Sequence, residues 1–266
     1  MPTATNGGVD LYYETAGNDD TEDEPVVFVN TAGYGAWLWS WQYRRVAGPR
    51  TALVYDHRGT GRSDVPPGPY DVDTLVADLD AVLSAHGARR ADLVGAGLGG
   101  AVALRYAHEH GRVRSLTLFG TAPRGDDVDG AALAALSAPA ATADARAYRE
   151  SLSGALSPPF REAASETLER ICAWRREEDA DPAAFEAQTA AWRTFESGPL
   201  YEMTVPALVF HGVDDPVVPA AAGEALAEGL PRGTFVPVEG RHLVFVEQSS
   251  AVTDRLLAFL DERAAG

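Results

Sequence analysis

Short runs of consecutive apolar residues alternate along the chain with amphipathic stretches, which predicts strands and helices in turn. Such apolar runs are typical of strands buried on both faces, and their alternation with helices favours a mostly parallel sheet. The predicted strands are Asp10–Thr15, Pro25–Val29, Thr51–Tyr55, Ala91–Val94, Val113–Phe119, Val205–Phe210 and Thr234–Val238. The predicted helices are Thr74–His86, Gly100–His110, Ala220–Leu230 and Ala251–Glu262. We therefore expect an α/β fold, with a loop over the acidic residues 18–24.

The alternation stops between the strand ending at Phe119 and the strand starting at Val205. Residues 126–204 are rich in Ala, Glu and Arg and include the helical stretches Arg161–Arg176 and Ala183–Phe195. A disordered linker would lack large apolar side chains, whereas this segment contains Ile171, Trp174, Phe185, Trp192 and Phe195. We predict a helical cap formed by residues 126–204, inserted into a core formed by residues 1–125 and 205–266.

The net charge of the chain limits the classes of partner that it is expected to bind. The 266 residues include 39 acids and 22 bases, which gives a net charge of −17, and every base is arginine. Such a chain would be repelled by nucleic acids and by anionic membranes, so we expect neither as a partner. Either a GC-rich genome that encodes Arg in place of Lys or an acidic surface adapted to high salt explains this composition. We favour the second, because at molar salt a Debye length of about 3 Å would screen the repulsion.

Several other classes of protein and site are not expected. The single cysteine, Cys172, forbids an intramolecular disulfide and a Cys-rich metal site. The acids and histidines show no metal-ligand spacing, so no metal or other cofactor is predicted. No apolar run approaches the roughly 20 residues of a membrane span. The first residues lack the basic and apolar regions of an export signal, so we expect a cytoplasmic protein.

A glycine-rich turn, Gly95-Ala-Gly97-Leu-Gly99-Gly100, follows a predicted strand and opens a helix. It satisfies the dinucleotide fingerprint G-x-G-x-x-G, but that site also needs an acidic residue about 20 positions on, at the end of the next strand. That strand ends in Leu118-Phe-Gly-Thr121, which has no carboxylate. The same turn has the frame of the nucleophile elbow G-x-S-x-G, with Gly97 at the serine position. The rest of the chain favours the elbow.

Three further segments accompany the elbow. Asp56-His-Arg-Gly-Thr-Gly-Arg-Ser-Asp64 follows one strand, His211-Gly-Val-Asp-Asp215-Pro-Val-Val-Pro219 follows a later one, and Glu239-Gly-Arg-His242 precedes the last helix. Their order and spacing resemble the α/β-hydrolase fold family, over nearly the whole chain except the cap. The chain looks most similar to the ester and lactone hydrolases, including 3-oxoadipate enol-lactonases, whose first loop also opens with Asn. The resemblance implies a mostly parallel eight-stranded sheet flanked by helices, with a helical cap.

The resemblance also implies roles for individual residues. His242 would exchange a proton with a small-molecule substrate, and Asp215 would orient its ring and stabilise its cation. The backbone N–H groups of Ala32 and Leu98 would form the oxyanion hole. The residues expected to bind substrate are Gly33, Tyr34, Trp39, Trp174 and Trp192.

Glycine at position 97 departs from the family pattern, because it cannot form an acyl intermediate. Loss of the nucleophile typically lowers kcat on the order of 10⁶-fold. Two explanations keep hydrolysis: Gly97 replaces a natural serine in an engineered knock-out, or His242 activates water directly. The chain could instead be a lyase, isomerase or cofactor-free oxygenase, or a binding module without catalysis. We favour hydrolysis of a small ester, lactone or activated carbonyl compound, because a binding module has no need of a buried carboxylate beside an imidazole.

Overall fold

One eight-stranded sheet runs through the protein in the computed structural model, which describes residues 2–18 and 24–264. The strands are β1 (Thr3–Asn6), β2 (Val9–Ala16), β3 (Val26–Val29), β4 (Ala52–Tyr55), β5 (Ala91–Ala96), β6 (Val113–Phe119), β7 (Ala207–Gly212) and β8 (Gly233–Val238). Their order across the sheet is β1-β2-β4-β3-β5-β6-β7-β8. The predicted α/β fold and its eight strands are confirmed. Of the loop predicted over residues 18–24, positions 19–23 lie outside the described residues.

The pairing of the strands explains their sequences. Strands β3 to β8 pair in parallel, whereas β2 is antiparallel to both β1 and β4. Strands β3, β4, β5 and β7 are buried at every position, which is why each is a nearly continuous apolar run. The edge strand β1 has the sequence Thr-Ala-Thr-Asn with only Ala4 buried, so it has no apolar run that would reveal it in the sequence.

Helices connect the strands and cover the sheet. They are α1 (Ser40–Val46), α2 (Val72–His86), α3 (Leu98–Glu109), α4 (Gly130–Ala134), α5 (Ala145–Glu150), α6 (Pro158–Ala163), α7 (Ser165–Glu178), α8 (Pro182–Arg193), α9 (Ala220–Gly229), α10 (Val244–Glu247) and α11 (Ser249–Ala264). Helix α2 begins two residues before the predicted start, because the Asp71 side chain caps it by accepting the Thr74 N–H at 2.7 Å. It ends where Gly87 adopts a left-handed conformation with φ 86°.

The segment between β6 and β7, in which every residue is described, is helical. It contains α4 to α8 and two short 3-10 turns, Gly125–Asp127 and Leu200–Glu202. The single helix predicted over Arg161–Arg176 is interrupted at Ala164, whose φ of −110° and ψ of 45° lie outside the helical region. Two shorter helices, α6 and α7, therefore replace it.

Neither a membrane-spanning helix nor a cluster of metal-ligating side chains occurs among the described residues. None of the helices within residues 2–18 and 24–264 has both the length and the apolar character needed to span a membrane. The same residues contain no group of three or more His, Cys, Asp or Glu side chains placed to hold a metal ion.

Candidate active site

The turn between β5 and α3 is a sharp elbow centred on Gly97. Gly97 has φ 49° and ψ −116°, a conformation that glycine adopts far more readily than other residues. Its N–H donates to the carbonyl of Phe119 on the neighbouring strand at 2.8 Å. The other glycines of the turn allow close packing, since a Cβ atom added to Gly99 would lie 2.2 Å from the carbonyl oxygen of Val29. The glycine-rich motif therefore builds an elbow at the carboxyl end of the sheet.

Asp215 and His242 meet at the same end of the sheet. Asp215 follows β7 and His242 follows the adjacent strand β8, and His242 Nδ1 lies 2.8 Å from Asp215 Oδ2. Both side chains are buried. Gly120, with φ 52°, makes room for the pair, because a Cβ atom there would lie 3.0 Å from the His242 ring and 3.2 Å from Asp215 Oδ2. Sequence reasoning missed Gly120, although its place directly after a buried strand was visible.

The surroundings of Asp215 keep it ionised. Its Oδ1 accepts the N–H groups of Val217 at 2.8 Å and Val218 at 3.1 Å. Burial acts to raise the pKa of Asp215, but the charge and hydrogen bond of His242, aided by His211 and the Val218 N–H, hold the pKa below its usual value. An ionised Asp215 accepts a hydrogen bond from the N–H group at Nδ1 of His242. In this tautomer the free lone pair of the imidazole is on Nε2. The arrangement suits His242 to act as a general base.

His211 is a second histidine in contact with Asp215. Its Nε2 lies 2.8 Å from the carbonyl oxygen of Val218 and 3.5 Å from Asp215 Oδ2. Burial lowers the pKa of His211, which favours its neutral form. Neutral His211 therefore donates from Nε2 to the Val218 carbonyl and supports the turn that carries Asp215.

The two predicted oxyanion-hole residues lie beside the elbow. Leu98 is the first residue of α3, and Ala32 lies in the loop after β3. Strand β3 pairs with β5 so that Val29 is opposite Gly95, which brings the loop that follows β3 next to Gly97. Both Ala32 and Leu98 are buried. The sheet thus brings these two backbone segments together beside Gly97.

Thr31 and Trp192 occupy the space in which a side chain at position 97 would stand. A Cβ atom added to Gly97 would lie 2.2 Å from Thr31 Oγ1, 3.2 Å from Thr31 Cβ and 2.9 Å from the edge of the Trp192 ring. The centroids of the Trp192 and His242 rings are 6.0 Å apart. The structure therefore brings Trp192, predicted to bind substrate, to the dyad. Sequence reasoning missed Thr31, whose only signal was its position directly before Ala32.

Gly33 and Tyr34 lie where the loop after β3 meets the helical insertion. A Cβ atom added to Gly33, whose φ is 78°, would lie 2.3 Å from the ring of Phe185. Tyr34 is fully buried, with the guanidinium of Arg175 over its ring at 4.7 Å from the centroid. Burial raises the pKa of Tyr34 to about 12. Both residues contact the insertion.

The structure does not bring the other two predicted substrate-binding residues to the dyad. Trp39 has no exposed surface, and its ring stacks on Phe245 in the core at 4.6 Å between centroids. Trp174 stacks on Trp37 at 6.1 Å. It borders a cavity of about 320 Å³ whose lining includes neither member of the dyad. The alternation of Trp37, Trp39 and Trp41 along the chain indicated that some of these rings are buried. It did not indicate which residues each ring would contact.

Hydrogen bonds tie the insertion to the loop that carries Ala32. Gln188 of α8 is fully buried, and its Oε1 accepts the Gly33 N–H at 2.7 Å. Its Nε2 donates to the Arg58 carbonyl at 2.8 Å and to Thr60 Oγ1 at 2.6 Å. A further backbone bond joins the Ala180 N–H to the Gly33 carbonyl at 2.9 Å. Sequence reasoning missed Gln188, one of two buried polar residues in its helix, the other being Thr189.

Known proteins resemble this chain over most of its length. The family model of the alpha/beta hydrolase fold matches residues 25–249. A putative carbamate hydrolase, RutD of Azorhizobium caulinodans, is 29% identical over 271 residues, which covers 98% of this chain and 99% of that protein. 3-Oxoadipate enol-lactonase 2 of Acinetobacter baylyi is 27% identical over 257 residues, covering 94% and 92%. The crystal structure of an enol-lactonase from Burkholderia xenovorans shares the fold, with a TM-score of 0.85, 24% identity and coverage of 98% and 100%.

Proposed function

The chain belongs to the α/β-hydrolase fold family, and from that membership we propose that it hydrolyses a small ester, lactone or carbamate by direct attack of water. One observation carries the proposal. His242 and Asp215 form a buried hydrogen-bonded pair, 2.8 Å between Nδ1 and Oδ2, at an elbow where Gly97 offers no hydroxyl. The pair can still move a proton, whereas the usual covalent step has no nucleophile at position 97.

The reaction needs one water molecule and no acyl-enzyme. His242 Nε2 takes a proton from water as the water oxygen attacks the carbonyl carbon, and Asp215 stabilises the imidazolium. The backbone N–H groups of Ala32 and Leu98 donate to the oxyanion of the tetrahedral intermediate. When the intermediate collapses, the bond from the carbonyl carbon to the leaving oxygen or nitrogen breaks. His242 then returns the proton to that leaving atom, which restores the neutral imidazole.

The contacts around Gly97 support glycine as the residue to which this site is fitted. A serine there would bring its Cβ within 2.2 Å of Thr31 Oγ1 and 2.9 Å of the Trp192 ring, so both neighbours would have to move. These contacts favour direct activation of water over an engineered loss of serine.

The helical insertion, residues 126–204, is proposed to be the cap of the site. Trp192 from α8 lies against Gly97 and near His242, so the insertion supplies an apolar wall beside the dyad. An apolar wall excludes water other than the reacting molecule and strengthens the electrostatic effect of the oxyanion hole. The wall also favours a small, uncharged carbonyl compound as the substrate.

The names of the relatives suggest the chemical class of the carbonyl. A carbamate and an enol-lactone are the compounds named for two proteins that resemble this chain over nearly their whole lengths. Water attacks without a covalent intermediate in the proposed reaction, so we expect the best substrates to have a good leaving group such as an enolate or a phenolate. Enol esters, strained lactones and aryl carbamates meet this requirement.

The test is a hydrolysis assay with p-nitrophenyl esters, lactones and aryl carbamates, run at low and at molar salt because the net charge is −17. We expect turnover by the wild type and its near-complete loss in His242→Gln, with no acyl adduct in rapid-quench intact-mass spectra. Substrate binding without turnover by any variant would favour a binding module. Conversion of such a carbonyl compound to a non-hydrolytic product, lost in His242→Gln, would favour a lyase, isomerase or oxygenase.

A further inference from the structure

We propose that the Thr31 hydroxyl, which lies where the nucleophile's side chain would stand in an elbow built with serine, positions the attacking water. The inference rests on the proposed function. Its basis is the distance of 2.2 Å between Thr31 Oγ1 and the point at which a Cβ atom of residue 97 would stand. A hydroxyl from the neighbouring loop thus reaches the volume that the missing side chain leaves.

The surroundings of Thr31 suit a fixed polar group. Thr31 is 2% exposed, and a β-branched side chain has few accessible rotamers, so its hydroxyl is held in place. The Thr31 carbonyl accepts the N–H of Tyr34 at 3.4 Å, which closes a turn around Ala32. The hydroxyl and the proposed oxyanion donor of Ala32 are therefore adjacent on one turn.

Thr121 is the natural comparison, because its hydroxyl also lies beside the elbow. Thr121 Oγ1 is 3.2 Å from the Phe119 carbonyl oxygen and 3.4 Å from the Gly97 carbonyl oxygen. Those bonds direct the Thr121 hydroxyl to the backbone beneath the turn. Thr31 instead lies on the side of Gly97 from which the Cβ atom would project, together with Trp192. Of these two threonines, Thr31 has the placement that reaches a substrate at the elbow.

Two hydrogen bonds fix the orientation of the attacking water. A water that donates one proton to His242 Nε2 and the other to Thr31 Oγ1 presents its lone pair to the carbonyl carbon. As the oxygen attacks, the first proton moves to His242, and the second stays on the oxygen of the product. Thr31 forms no bond to carbon at any stage. Its contribution is orientation, the effect that makes a misplacement of about 1 Å cost on the order of 10²-fold in rate.

The experiment compares four residues at position 31. Thr31→Val keeps the shape and loses the hydroxyl, whereas Thr31→Ser keeps the hydroxyl and loses the methyl group. We expect Thr31→Val to lower kcat by about 10- to 100-fold with little change in KM, since the hydroxyl holds water and not substrate. Thr31→Ser should retain most of the kcat. If Thr31→Val fails to fold, Thr31→Ala against Thr31→Ser isolates the hydroxyl, because both lack the methyl group.

Each outcome separates this inference from the proposed function. Wild-type turnover with an unchanged kcat in Thr31→Val overturns the role of Thr31 and leaves water-dependent hydrolysis standing. Equal losses of kcat in Thr31→Ser and Thr31→Ala, with equal losses of thermal stability, indicate that Thr31 has only a packing role. That result also overturns its proposed role in positioning water. An acyl adduct on Thr31 in rapid-quench mass spectra makes Thr31 a nucleophile and overturns both proposals. Absence of any wild-type turnover removes the proposed function, and the inference fails with it.

Discussion

The backbone N–H of Gly33 donates to the side-chain oxygen of Gln188 at 2.7 Å. This bond joins the loop after β3 to the helical insertion. The side-chain amide nitrogen of Gln188 makes a second hydrogen bond, which it donates to the Arg58 carbonyl. The residue before Gly33 is Ala32, the proposed oxyanion donor. The insertion therefore holds the backbone next to the proposed oxyanion donor, in addition to providing the proposed apolar wall.

Replacing Gln188 should lower both activity and stability. Gln188→Leu leaves the buried Gly33 N–H and Arg58 carbonyl without this partner, and each unsatisfied group typically costs about 1–3 kcal/mol. Removal of one oxyanion donor typically lowers kcat by about 10²–10³-fold. We expect a smaller loss of at least about tenfold here, because the Ala32 N–H is displaced and not removed. Urea unfolding and steady-state kinetics measure the two effects.

A matched pair of variants controls this prediction. Gln188→Glu keeps an acceptor for Gly33 but buries a carboxylate against the Arg58 carbonyl, so it should destabilise the protein at least as much as Gln188→Leu. Its kcat should nevertheless lie between those of the wild type and Gln188→Leu, because the Gly33 N–H keeps its acceptor. Ala183→Ser changes an exposed position of the same helix and should alter neither quantity. Wild-type kcat in a destabilised Gln188→Leu protein would show that Gln188 supports folding alone.

Loss of the Asp215 charge should appear in the pH dependence of stability. The pKa of Asp215 is lowered in the folded protein, so its contribution to stability is present above the ordinary value of 3.8 and is lost as the pH falls through the lowered value. The difference in unfolding free energy between the wild type and Asp215→Asn should therefore shrink as the pH falls below 3.8. Urea unfolding of both proteins between about pH 3 and pH 6 measures it.

The same variant reports on catalysis. Asparagine cannot accept the Nδ1 proton as a carboxylate does, so kcat should fall by roughly 10⁴-fold if His242 is the general base. Differences in unfolding free energy that stay constant over the whole pH range would contradict the stabilising role of the Asp215 charge. A small change in kcat would contradict its role in orienting His242.

Adding a side chain at Gly97 should destabilise the protein and should not create a better hydrolase. Gly97→Ala and Gly97→Ser place a Cβ atom 2.2 Å from Thr31 Oγ1 at a φ of 49°. Strain at φ and overpacking typically cost about 1–3 kcal/mol each. We expect a lower melting temperature, and for Gly97→Ser no gain in turnover, since Thr31 and the Trp192 ring would have to move away to admit the serine side chain.

Gly87 supplies the control for this prediction. It has a φ of 86° with nothing within 4 Å of an added Cβ atom, so Gly87→Ala measures the effect of a positive φ without a clash. Gly97→Ala should be the more destabilising of the two. A gain of activity in Gly97→Ser with undiminished stability would instead indicate a site built for serine.

The parts of the site that follow strand ends could be predicted from the sequence. Asp215 follows the fully buried strand β7 and His242 follows the half-buried strand β8, and the resemblance of their motifs to the α/β-hydrolase family implied that the two side chains would meet. Thr31 and Gln188 could not be predicted, because their contacts join segments far apart in the sequence and depend on how the insertion packs. Gln188 lies 155 positions from Gly33, with no repeating pattern between them.

The same distinction holds for the secondary structure. The buried strands have strong apolar runs and could be predicted. Strand β1 is polar at three of its four positions and pairs only at the edge of the sheet. The helix break at Ala164 contains neither glycine nor proline, so the sequence gives no sign of it. Local pattern therefore indicates burial and order along the chain, while the contacts that complete the site arise from tertiary packing.

Stability should rise with salt concentration. A net charge of −17 on 266 residues creates mutual repulsion that favours the unfolded chain, and screening at molar salt reduces it. We expect the urea midpoint to increase steadily from low salt to about 2 M NaCl, even though surface ion pairs such as Arg45 with Asp254 weaken over the same range. A sucrose series separates screening by ions from the general effect of an excluded solute. A midpoint that is highest at low salt would show that the ion pairs outweigh the repulsion, and would remove the argument for adaptation to a saline environment.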